Sequence, residues 1–90
     1  MIIRYSARAR AQMNLIHGFI AEKNTVAAAA VIAHIRKAIS LLATTPRLGR
    51  VTDEEGVRML IVPRFPFVVF YTTRNREILI LNVRHTAQHR

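Results

Sequence analysis

Ninety residues make one small domain, 1–90, with too little chain for two separate cores. About half of them are apolar (51%), which excludes a disordered chain, yet 14 Lys and Arg stand against 5 Asp and Glu for a formal charge of +9. The absence of cysteine excludes disulfides and thiolate metal sites, while the charge implies an acidic counterpart such as nucleic acid, a membrane surface or an acidic protein. Twelve of the cations are arginine, suited to bidentate pairing with carboxylate or phosphate. The N-terminus, Met1-Ile2-Ile3-Arg4-Tyr5, lacks the apolar core of a signal peptide. The apolar stretch near residues 26–35 is interrupted by His34 and Arg36 and reads as too short for a membrane span. A soluble cytoplasmic protein without membrane contact is expected.

Ile2-Ile3-Arg4-Tyr5 predicts a short opening strand, after which Ser6 is placed to cap a helix. In that helix Ala9, Met13, Ile16 and Ile20 share one face with Leu15 and Phe19 beside them, while Arg10, Asn14 and His17 point away. Arg8 and Arg10 occupy first turns where the helix dipole disfavours cations, a hint of a contact surface. Glu22-Lys23-Asn24-Thr25 forms a polar break, with Asn24 or Thr25 as the next cap. Ala28, Ile32, Ile35, Ile39 and Leu42 then make a stripe, and the small residues Ala27–Ala30 admit a close neighbour. The two segments predict an antiparallel helical hairpin, ended at Thr44-Thr45-Pro46.

A loop at Leu48-Gly49-Arg50 and an acidic turn at Asp53-Glu54-Glu55-Gly56 lead to three strands: Val57–Val62, Phe67–Thr72 and Ile78–Val83. The dividers, Pro63–Pro66 and Thr73–Arg76, are short enough to join antiparallel neighbours. The expected fold is α+β, in the order β-α-α-β-β-β, with the N-terminal helical hairpin packed on a small antiparallel sheet. None of the three strands alternates cleanly, so both sheet faces are apolar and ask for cover, and two helices cannot supply it alone. If registers agree, Val57, Met59, Ile61, Phe67, Val69, Tyr71, Leu79, Leu81 and Val83 form one face. Arg58, Leu60, Val62, Val68, Phe70, Ile78, Ile80, Asn82 and Arg84 form the other, with an apolar centre and charged margin like a binding surface.

Catalytic constellations are thin. Three of the five acids lie in one turn, and neither a glycine-rich phosphate loop nor a nucleophile elbow is present. His85 and His89 have helical spacing without a third ligand, and His17 and His34 read as solvated, so no metal or cofactor is expected. Metal-free RNA cleavage would use His85 as acid or base and Arg58, Arg64 and Arg84 on phosphate. With no second acid–base group in the region, a basic rim without chemistry is favoured.

Tyr5-Ser6 before a helix, the hairpin, Pro46-x-Leu48-Gly49-Arg50, Arg58 opening a strand, Phe67–Tyr71 and Ile78–His85 follow one another over nearly the whole chain. In that order they resemble toxins of the RelE/ParE superfamily. The resemblance implies a bacterial type II toxin–antitoxin system, whose toxin is held inactive by an antitoxin encoded beside it. RelE-like members cut messenger RNA on the ribosome; ParE-like members inhibit DNA gyrase. Arg58 and Arg84 fit basic positions of the RelE-like site and His85 its acid–base position, but Thr86-Ala87-Gln88 lacks the aromatic residue found near there. The Leu48-Gly49-Arg50 loop, the lone histidine after the last strand and the long hairpin look more like the ParE branch. The resemblance thus implies a non-enzymatic gyrase inhibitor that arrests growth, serves plasmid or chromosome stability and is neutralised by a ParD-like antitoxin. That antitoxin would also make most of the DNA contact. Arg50, Arg58, Leu60, Phe70, Ile80, Arg84 and His85 are the expected antitoxin-binding or toxicity residues. The alternatives are a RelE-like endoribonuclease and a plain basic nucleic-acid-binding domain, the latter without a visible stacking platform or recognition helix.

Overall fold

Ser6 and Asn24 set where the two helices begin. In the computed structural model, which describes residues 1–88, the Ser6 hydroxyl accepts from the Ala9 N–H at 3.0 Å and opens α1, Ala7–Ala21. The Asn24 carboxamide accepts from the Ala27 N–H at 2.9 Å and opens α2, Thr25–Ser40, so Asn24 rather than Thr25 is the cap. A short 3₁₀ turn at Leu41–Ala43 follows α2.

The strands are β1, Ile2–Tyr5; β2, Arg50–Val51; β3, Val57–Ile61; β4, Phe67–Arg74; and β5, Glu77–His85, ending in a 3₁₀ turn at Thr86–Gln88. They form one five-stranded sheet in the order β1-β5-β4-β3-β2. Two helices and a mixed sheet give the α+β architecture, but the sheet is not purely antiparallel as expected. β1 runs parallel to β5, with Ile2 opposite Glu77 and Tyr5 opposite Ile80. Parallel neighbours need a long crossover, and the helical hairpin with the strands after it provides one. β4 and β5 are joined by Asn75 and Arg76, both with positive φ (52° and 63°), as a two-residue hairpin turn with the right twist requires.

The core lies between the hairpin and one face of the sheet. Ala9, Met13, Val31, Ile35, Ile39 and Leu42 meet Leu60, Val62, Val69, Tyr71, Ile78, Ile80 and Val83 there. The expected division of the strands into faces is therefore corrected in two places. Leu60 stands opposite Val69, so Arg58, Leu60 and Val62 share the helix-facing side with Phe67, Val69 and Tyr71. A bulge then interrupts β5: Phe70 pairs with Asn82 but Tyr71 pairs with Ile80, leaving Leu81 as the extra residue. The bulge lets Ile78, Ile80 and Val83 all enter the core despite their uneven spacing.

The opposite side of the sheet carries Met59, Ile61, Val68, Phe70, Asn82 and Arg84, and among the described residues no helix lies on it. Val68 is nonetheless buried, and the Arg84 guanidinium sits 5.9 Å from the centroid of the Phe70 ring. Contrary to expectation, Thr25–Ala43 is long and apolar enough, by length and composition, to cross a membrane. Its Ala28, Val31, Ile35, Ala38 and Ile39 are buried in the fold, the role of a core helix.

Candidate functional site

The segment between α2 and β2 is fastened to the sheet by two side chains. Tyr71 is fully buried, and its hydroxyl donates to the Pro46 carbonyl at 2.7 Å and accepts from the Gly49 N–H at 2.8 Å. Arg58 donates through Nη1 to the Gly49 carbonyl at 2.7 Å and reaches toward the Arg47 carbonyl at 3.5 Å. Gly49 has no room for a side chain, since a Cβ would lie 2.7 Å from Tyr71 Cε1 and 2.9 Å from the Met59 carbonyl oxygen. Residues 46–50 are thus held rigidly while Leu48 and Arg50 are presented to solvent.

The other expected site residues do not gather. Leu60 and Ile80 are core residues beneath the helices, at 7% and 0% exposure, and so leave the proposed open surface. Phe70 and Arg84 belong to the side away from the helices. His85 follows Arg84 on the strand and so projects to the other side, where its ring meets Phe67 edge-on at 5.5 Å. Its Nδ1 accepts from the Ala87 N–H at 3.0 Å. Arg64 is exposed at the β3–β4 turn with φ 73°. Arg58 stands opposite Tyr71 and Arg84 opposite Val68, about 10 Å apart along β4. They also lie on opposite faces. The His85–His89 spacing ends outside the described residues, at His89. His34 is not simply solvated: its Nε2 lies 2.7 Å from the Pro63 carbonyl oxygen and its ring meets Phe65 at 4.9 Å, tying α2 to the β3–β4 turn.

Two residues that anchor this arrangement carried no sequence signal of their own. Tyr71 reads in a strand as a core aromatic, and Gln12 as one more polar position on α1. In the fold Gln12 Oε1 accepts from the Val83 N–H at 2.7 Å and Nε2 donates to Asn82 Oδ1 at 3.3 Å, just past the bulge. The nearest sequence hint is its place in the polar gap between Ala9 and Met13, where an amide serves a strand edge better than a charge. On the opposite sheet edge, burial pushes the Tyr5 hydroxyl above its ordinary pKa, and Arg36, 5.4 Å from the ring centroid, opposes that shift.

An apolar opening runs between α1 and the β3–β4 turn. Leu15 and Phe19 stand 73% and 76% exposed beside Ile16, Ile20, Phe65 and His85, around a groove of about 790 Å³. Isolated exposed leucines are ordinary, but two large side chains over one concavity are the pattern of a protein-binding face.

The geometry is a helical hairpin on a mixed sheet with dispersed cations, and comparison with known proteins gives its class. Residues 3–90 match the family described as ParE toxin of the type II toxin–antitoxin system parDE. The Y4kP protein of Sinorhizobium fredii, which bears a toxin's name, is 33% identical over 86 residues, covering 96% of this chain and 88% of its own. The chain belongs to the ParE toxin family. Its fold matches a chain of the chromosomal ParDE system from P. aeruginosa with a TM-score of 0.83 at 23% identity, over 94% of this chain and 95% of that one. A chain of the toxin–antitoxin complex RelBE2 from Mycobacterium tuberculosis matches with a TM-score of 0.60 at 21% identity, over 93% and 95%.

Proposed function

We propose that this ParE-family toxin arrests growth by inhibiting DNA gyrase in the cytoplasm and is neutralised by a ParD-like antitoxin. The observation that carries the choice of gyrase over messenger RNA is the dispersal of the nuclease candidates. RNA cleavage needs a base, a proton donor and phosphate-binding cations around one scissile bond. Here Arg58 is engaged with the Gly49 carbonyl, Arg84 lies on the other face, and His85 projects away from Arg84. The antitoxin would lay an amphipathic segment over Leu15 and Phe19, with carboxylates answering the formal charge of +9.

The test is induction in a bacterium that lacks the antitoxin, alongside a supercoiling assay with purified gyrase. DNA-damage signalling with intact transcripts and loss of supercoiling is the expected result. Rapid, codon-positioned cleavage of messages would overturn it in favour of a RelE-like nuclease. Normal growth with unaffected gyrase would remove the toxin activity from this chain altogether.

A further inference from the structure

The β4–β5 hairpin reaches past its neighbours in the sheet. β3 stops at Val57, opposite Thr72, and β1 begins at Ile2, opposite Glu77, so Arg74, Asn75 and Arg76 form the leading tip. Asn75 and Arg76 both hold left-handed backbone, at φ 52° and 63°. A turn of this kind favours asparagine followed by glycine, and an arginine in the second position is strained. The fold therefore gives no reason for a guanidinium at residue 76. Strain kept at an exposed tip points to a side chain in use.

Positive charge gathers around that tip. Arg74 and Arg76 are exposed, and among the described residues neither makes an ion pair. Arg74 stands opposite Glu77, whose carboxylate already accepts from Arg4 Nε at 2.9 Å. Strands spaced about 4.8 Å apart put the Cα atoms of Arg4 and Arg74 about 12 Å from each other, with that one carboxylate between them. Beside Thr73, the Met1 ammonium and Arg47 border an opening of about 460 Å³ that no carboxylate lines among the described residues. The ammonium is fixed there by the Ala43 carbonyl at 2.8 Å. Asp53 and Glu54 lie instead around the separate opening that contains Arg8 and Arg84.

We propose that the tip of the β4–β5 hairpin binds the phosphate backbone of duplex DNA. Arg74 and Arg76 contact phosphates directly, while Arg4, Arg47 and the Met1 ammonium add to the field that draws the duplex in. Such binding does not require gyrase as the target, and it gives the toxin a DNA contact of its own beside that of any antitoxin. An acidic protein is disfavoured because residues 72–77 offer no apolar anchor, only hydroxyl, amide and charged groups. Duplex RNA is disfavoured because the wide major groove of B-form DNA admits a two-stranded ribbon and the deep, narrow groove of A-form RNA does not.

The test measures, by fluorescence anisotropy over a range of salt, binding of the full chain to a labelled DNA duplex two helical turns long. An RNA duplex of the same sequence and a capped polyglutamate peptide are the comparison ligands. Arg74→Ala combined with Arg76→Gly should weaken DNA binding at least tenfold and flatten the dependence of log K on log salt by about 2, close to the loss of two phosphate contacts. Arg76→Gly eases the turn, so weaker binding by that variant alone is not a folding defect. Lys23→Ala with Lys37→Ala removes two exposed cations of the helical hairpin and should change binding by less than about threefold. Glu77→Gln frees Arg4 and Arg74 from their carboxylate and should tighten it. No DNA binding, equal binding of RNA or polyglutamate, an equal loss from the lysine pair, or an unchanged salt slope in the arginine variant would each overturn the proposal.

Discussion

Replacing Gly49 by alanine tests how firmly residues 46–50 are clamped. The added methyl would stand 2.7 Å from Tyr71 Cε1, 2.8 Å from its hydroxyl and 2.9 Å from the Met59 carbonyl oxygen. None of these atoms can yield cheaply: the tyrosine ring is fully buried, and the carbonyl belongs to the sheet. Overpacking of this kind destabilises by about 1–3 kcal/mol. Displacing the hydroxyl also weakens its bonds to Pro46 and Gly49, each contributing about 0.5–1.5 kcal/mol. The expected loss is about 2–5 kcal/mol, or a fall in Tm of roughly 10–30 °C for a domain of this size. Denaturant unfolding followed by circular dichroism measures it, provided the m-value is unchanged. Gly18→Ala is the matched control, because nothing lies within 4 Å of its added Cβ in α1. It should stabilise by about 0.5–1 kcal/mol. A Gly49→Ala protein within about 0.5 kcal/mol of the parent, the ordinary scatter of surface substitutions, would refute the clamp.

Tyr71→Phe keeps the ring but leaves the Pro46 carbonyl and Gly49 N–H without their partner, and should cost about 2–4 kcal/mol in the same unfolding assay. Arg58→Ala should destabilise by about 1.5–3 kcal/mol through its lost bond to Gly49, whereas Arg84→Ala should cost less than about 1 kcal/mol. Comparable losses from the two arginines would contradict their different placements. Arg76→Gly should stabilise by about 1 kcal/mol because it relieves a left-handed backbone at φ 63° in the β4–β5 turn; an unchanged unfolding midpoint would count against that strain. Tyr5 binds its proton more tightly in the folded chain, so its contribution is fully present below its unfolded pKa of 10.0 and is lost as pH rises from there through the raised folded value. Tyr5→Phe should flatten that part of the stability–pH curve, as seen in denaturant titrations across alkaline pH.

Much of the architecture was legible because its signals are local. The caps at Ser6 and Asn24, the 3.6-residue apolar stripes and the proline after Thr45 mark the hairpin without reference to anything distant. Strand positions were equally readable. What could not be read was which strand side chains share a face, since a one-residue change in register reverses every assignment. The Pro63–Pro66 turn sets Leu60 opposite Val69, and the extra Leu81 shifts the second half of β5. Those two facts moved Leu60 and Ile80 from an imagined binding surface into the core. Arg58 illustrates a different limit: charge and strand position suggest a contact residue, but only the return of Gly49 in space reveals the acceptor it serves.

The extra residue at Leu81 also bears on how this chain can diverge. Deleting it would restore simple pairing, with Ile80, Asn82, Val83 and Arg84 alternating opposite Tyr71, Phe70, Val69 and Val68, so that Val83 stays in the core and Arg84 stays on the far face. A relative shorter by one residue at this point can therefore keep the same order of greasy and basic side chains downstream. An alignment that opened the gap a few residues away from Leu81 would match interior positions to exterior ones between the two places.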